Sequence, residues 1–141
     1  MFFKTEKYRD LGLLILRVGI GLMFAYHGAP KLFGGPEKWE KLGGAMGNFG
    51  LDIFPVFWGF MASVSEFVGG IFLAVGFLTG PSCALLAVTM IIAAVFHLAG
   101  GDGLGRASHA IEAGILFISL IFIGAGKYSL DFRLRRGSRP E

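Results

Sequence analysis

Four apolar runs alternate with shorter polar stretches along the chain, at residues 11–29, 54–78, 81–99 and 108–126. Each falls within the ~17 to 25 residues that a helix needs to cross a hydrocarbon core. The pattern predicts an all-α fold, an integral membrane four-helix bundle making a single domain over residues 1–141. The connections differ in kind. Thr79-Gly80-Pro81 is a break short enough to force a tight helical hairpin, and GGDGLGR at 100–106 reads as a flexible turn. PEKWEKLGGAMGNF at 36–49 reads as a short helix lying at the membrane interface, with Trp39 and the lysines as anchors. The charged lead MFFKTEKYRD resembles the start of a signal peptide, but Arg17 interrupts the apolar run behind it and three more spans follow, so the first run is expected to stay as a helix.

The polar residues inside the runs carry the candidate chemistry. Glu66 is the lone formal charge in the second run, and an ionised group in hydrocarbon has to be paired, protonated or turned toward protein. By helical spacing it shares a face with Gly59, Ser63 and Gly70, the small-residue face on which other helices pack. Arg17, on a long stem in the first run, is its expected partner. Arg17, Gly21, Gly28 and Lys31 form one stripe, and His27 lies off it. His27, His97, His109 and Glu112 fall in one layer toward the outer face by a rise of ~1.5 Å per residue. The stripes Cys83–Leu86–Met90–Ala93–His97 and His109–Glu112–Leu116–Ser119 are both expected to point inward. Each group has two readings: Arg17 and Glu66 fix helix register or serve a ligand or proton, the histidines reach the interface or ligate, and Glu112 caps a helix start or joins a site. No metal motif such as HExxH is present, and a single cysteine, Cys83, excludes an internal disulfide or CxxC couple.

Composition agrees with a membrane protein: 54% of residues are hydrophobic, 16% are charged, and mean hydropathy is +0.66. A net charge of +3 without a basic, aromatic-interleaved stretch argues against nucleic acid as a partner. The partners expected are the lipid bilayer and either another protein or further copies of the chain. Lys4, Lys7, Arg9, Lys127, Arg133, Arg135, Arg136 and Arg139 flank the spans at one end, against Lys31, Lys38, Lys41 and Arg106 at the other. The positive-inside bias therefore predicts that both termini are cytoplasmic.

Three segments together resemble the DoxX family of small four-span bacterial membrane proteins: LRVGIGLMFAYHGAPKLFG, EFVGGIFLAVGFLTGPSCALLA and HAIEAGILFISLIFIGAGKYSLD. The family pattern falls on Arg17, Gly28, Lys31, Glu66, Gly69, Gly70, Gly76, Thr79, Glu112, Ser129, Leu130 and Asp131. The resemblance implies a four-helix fold, multi-pass in a bacterial cytoplasmic (inner) membrane. It also implies kinship with a group that includes the small subunit of a thiosulfate:quinone oxidoreductase and a membrane partner of superoxide dismutase and a sulfurtransferase.

Three functions are compatible with these residues. The first is an anchor or accessory subunit of a redox-related complex. The second is a subunit that itself binds quinone through Arg17, Glu66, Glu112, His97 and His109, with electrons supplied by a partner. The third is a small-solute or proton carrier. The topology is directly testable: reporter fusions at Glu141 and near Lys38 should report opposite sides of the membrane, and the same side for both would rule it out.

Overall fold

The structure is a computed structural model that describes residues 5–137; Lys4 and Arg139, part of the charge bias, lie outside them. Six α-helices are found there: α1 (Thr5–Leu32), α2 (Pro36–Gly43), α3 (Pro55–Val75), α4 (Thr79–Ala99), α5 (Gly103–Ile123) and α6 (Leu130–Gly137), with a 3-10 turn at Gly44–Phe49 after α2. Four of them, α1, α3, α4 and α5, are long and apolar enough to cross a membrane. In none is more than 39% of the apolar window buried inside the bundle, so most of that surface is left for lipid.

The spanning helices pack in the order α1, α3, α4, α5. The ring closes through side chains, Phe24 of α1 meeting Phe117 of α5 edge to face at 4.8 Å. Leu73, Cys83, Leu86, Met90 and Leu120 fill the centre. Glycine sets how closely the backbones approach. A Cβ on Gly21 would strike the backbone of Gly70 and Ala74, and one on Gly28 the backbone of Glu66 and Phe67. This fixes α1 against α3 antiparallel, with Gly28 level with Glu66.

The helix bounds differ from the apolar runs at several ends, and α1 runs from Thr5 to Leu32 rather than 11–29. The fourth span begins at Gly103 rather than 108, because the glycines of GGDGLGR start the helix instead of forming a turn beyond Asp102. The basic tail forms α6, whose first turn is capped by Ser129: its Oγ accepts the Phe132 N–H at 3.2 Å and donates to the Gly126 carbonyl at 2.6 Å. The helix at 36–43 is present, and its backbone lies directly on α3, Gly43 against Pro55 and Gly59 against Trp39. Trp39 therefore serves as packing more than as an interfacial anchor. Its ring meets Phe60, and its indole N–H donates to the Lys31 carbonyl at 3.0 Å.

Candidate functional site

The buried polar residues gather at two levels. At the end that carries the termini, Arg17 is fully buried. Its guanidinium donates to the carbonyls of Leu73 at 3.2 Å, Ala74 at 3.3 Å and Tyr128 at 3.1 Å. The first two lie in the last turn of α3, where carbonyls have no helical partner and a cation suits the negative end of the dipole. That turn ends in a Schellman motif: Gly76, at φ 71°, and Phe77 bond back to Leu73 and Phe72, and the rings of Phe72 and Phe77 touch at 5.1 Å. Gly76 is required twice over, since a side chain there would also collide with Arg17 and Ser129.

Asp131 completes this level. Its carboxylate accepts the N–H groups of Leu78 at 2.8 Å and Thr79 at 2.9 Å, capping α4 from another helix, while its own N–H donates to the Gly76 carbonyl at 2.9 Å. Burial pushes the Asp131 carboxyl up, but the bonds from Thr79 and Leu78 outweigh it and hold the group below the usual aspartate value. Nearby, Asp10 accepts the Lys127 N–H at 3.1 Å and pairs with its ammonium at 3.4 Å. The Arg17 Nε and the Thr79 hydroxyl have no partner among the described residues, although both are buried.

At the opposite end, Lys31 bonds both oxygens of Glu66, at 2.8 and 2.6 Å. Glu66 is 5% exposed, and the Lys31 side chain keeps 32% of its surface.

The structure thus corrects the expected Arg17–Glu66 pair. Both face the interior, but Arg17 lies level with Leu73 and Ala74, about two turns or ~11 Å along α3 from Glu66. The long Arg17 stem was expected to close the difference in depth, but its guanidinium is taken up instead by carbonyls at its own level. The cation that reaches Glu66 is Lys31, and the signal for it was present in the Arg17–Gly21–Gly28–Lys31 stripe.

The expected polar layer is also not assembled. His97 bonds Asp102 at 2.7 Å across the short turn into α5, and this bond holds the Asp102 carboxyl below its usual value. His109 and Glu112 lie at the surface of the bundle, as does Ser119. The inward face of α5 is instead Ala107, Ala110, Gly114, Phe117 and Leu120, whose small members let α4 approach: Gly114 sits against Met90. With α5 beginning at Gly103, Glu112 is mid-helix and caps nothing. Among the described residues no three His, Cys, Asp or Glu side chains gather as a metal site.

A cleft of about 600 Å³ opens at the terminal end, lined by Thr79, Asp131, Arg9 and Lys127 on one side and by Leu120, Ile121 and Phe132 on the other, and an apolar one of about 510 Å³ opens beside α2, lined by Trp39, Phe54, Phe57 and Phe60.

The sequence model of the DoxX family matches residues 12–99, a stretch that takes in Arg17, Lys31, Glu66 and the α3–α4 hairpin. A protein of Haemophilus influenzae described as uncharacterized is 33% identical over 132 residues, covering 89% of this chain and 92% of the relative. No solved structure matches.

Removing one member of a buried pair leaves the other charge unpartnered, at roughly 3–5 kcal/mol, reduced here because Lys31 keeps partial access to water. Glu66→Leu should therefore destabilise the protein in detergent melting experiments by roughly 2–4 kcal/mol, and Lys31→Met/Glu66→Leu should recover most of the loss. A double variant no better than the single one would show that the two residues do not act as a pair.

Proposed function

Because this chain belongs to the DoxX family, we propose that it is a membrane-anchoring accessory subunit of a redox-linked complex in the bacterial cytoplasmic membrane, with the electrons carried by a partner polypeptide. One observation carries this reading: the charges inside the bundle are used by the chain itself. Arg17 is taken up by three carbonyls and Lys31 by Glu66. These contacts fasten helices, and none of the three side chains, Arg17, Lys31 and Glu66, is itself redox-active. Cys83, buried and without a second thiol, cannot cycle as a dithiol couple.

A second reading, in which the bundle itself holds a quinone, is favoured by the terminal cleft. A quinone carbonyl accepts a hydrogen bond, the Thr79 hydroxyl has one to give, and Leu120 and Ile121 offer an apolar wall for the ring and tail. The residues expected to bind it, Arg17, Glu66, Glu112, His97 and His109, do not line this cleft.

Purification in a mild detergent tests both readings. The accessory role requires a second polypeptide to co-purify in fixed proportion, and a chain isolated alone from its native membrane contradicts it. Quinone that co-purifies with the wild type and is lost in Thr79→Val favours the second reading; quinone content unchanged by Thr79→Val removes the cleft from it.

A further inference from the structure

The cleft at the terminal end lies where the edge of the hydrocarbon crosses the bundle. One wall is the last turn of α5, Leu120 to Ile123, which closes a spanning helix and so belongs to the apolar layer. The other wall comes from the start of α1, the segment after α5, and α6, and it brings Arg9, Lys127 and Arg135 to one opening.

The charges of this second wall do not cancel. Of its two carboxylates, Asp10 is taken up by Lys127, and Asp131 by the N–H groups of Leu78 and Thr79. Arg9 and Arg135 act on these carboxylates only electrostatically, and neither forms a hydrogen bond or ion pair with a described residue. The buried Thr79 hydroxyl, next to Asp131, adds a group without a hydrogen-bond partner among the described residues. Two guanidiniums with donors to spare therefore share an opening with the apolar end of a membrane helix. Guanidinium groups suit an anion whose oxygens accept paired N–H groups, which is the chemistry of a phosphate. A free phosphate would leave the apolar wall bare, and a neutral amphiphile such as a quinone would leave both charges without a counter-ion.

We propose that this cleft holds the headgroup of an anionic phospholipid, with Arg9 and Arg135 on its phosphate and its acyl chains running along the end of α5 into the bilayer. Phe122, 84% exposed at that end, lies where the chains would leave the cleft. The volume of about 600 Å³ falls within the ~300 to 1,000 Å³ of small-molecule sites. The charge bias predicts that this end meets the cytoplasmic leaflet, whose acidic lipids give it a negative surface potential. Such a lipid would bind whether or not a redox partner is attached to the chain.

The test uses the full-length protein in mild detergent, stripped of native lipid and offered phosphatidylglycerol or phosphatidylcholine, with the retained lipid read by native mass spectrometry. Wild type should prefer phosphatidylglycerol, and inorganic phosphate should displace it no better than chloride at equal ionic strength. Arg9→Gln/Arg135→Gln should weaken phosphatidylglycerol binding by roughly thirtyfold. Arg133→Gln/Arg136→Gln, which removes as much charge from α6 outside the cleft, should change it little. Arg9 and Arg135 are exposed, so these variants should fold, and Arg9→Lys/Arg135→Lys, which keeps both charges, should bind nearly as wild type does. Equal losses in the two glutamine variants, no preference over phosphatidylcholine, specific displacement by inorganic phosphate, or displacement by a quinone that the glutamine variants bind as well as wild type would each overturn the proposal.

Discussion

A fully buried guanidinium with carbonyl partners holds one end of this bundle together. Arg17 sits where α3 runs out of helical hydrogen bonds, and it bridges the last-turn carbonyls of Leu73 and Ala74 to that of Tyr128 in the turn before α6. A charge in this place would be prohibitive alone. Here the dipole end of α3 and three acceptors receive it, and the Asp131 carboxylate is near enough to act on it electrostatically. Gly76 follows from the same constraint, since only a residue without a side chain leaves room for the guanidinium while turning the chain out of α3.

The rest of the terminal end is a chain of dependencies. The turn after Gly76 places Leu78 at a φ of 44°, an unfavourable backbone for leucine, and its apolar side chain cannot cap α4. Asp131 supplies the cap from α6, and α6 is held in place through Ser129, Tyr128 and the Asp10–Lys127 pair. At the other end the organising contact is Lys31 with Glu66, delivered to the same level by the glycine-guided packing of α1 on α3. The two buried charges expected to neutralise each other are thus stabilised separately, about two helical turns apart; both contacts join α1 to α3, and Arg17 reaches the turn before α6 as well.

The architecture was legible because hydrocarbon allows few solutions: four apolar runs of sufficient length give four spans, and small residues mark where they touch. Positions within the helices were less legible. Apolar boundaries are not helix ends: α1 starts six residues ahead of its apolar run and α5 five ahead of its own, which moves Glu112 from the expected first turn to the middle of its helix. Lys31 was assigned to a connection although its stripe faces α3, and Asp131 was noted only as part of a family pattern because its role depends on a contact 52 residues away in sequence. For Glu112 and Ser119 the error was of face: polar character suggested an inward stripe, but α5 turns its Ala and Gly face inward because α4 needs close approach.

The central claim is that Arg17 fastens the end of α3 to the C-terminal segment and so sustains the cap on α4. Hydrogen exchange resolved to single amides in Arg17→Met tests it most directly. The account predicts faster exchange than in wild type at Leu78, Thr79, Asp131 and Phe132, with protection unchanged at Ser63 and Glu66 near the Lys31 pair. Unchanged protection at the four terminal-end amides, or equal acceleration throughout the bundle, would contradict it.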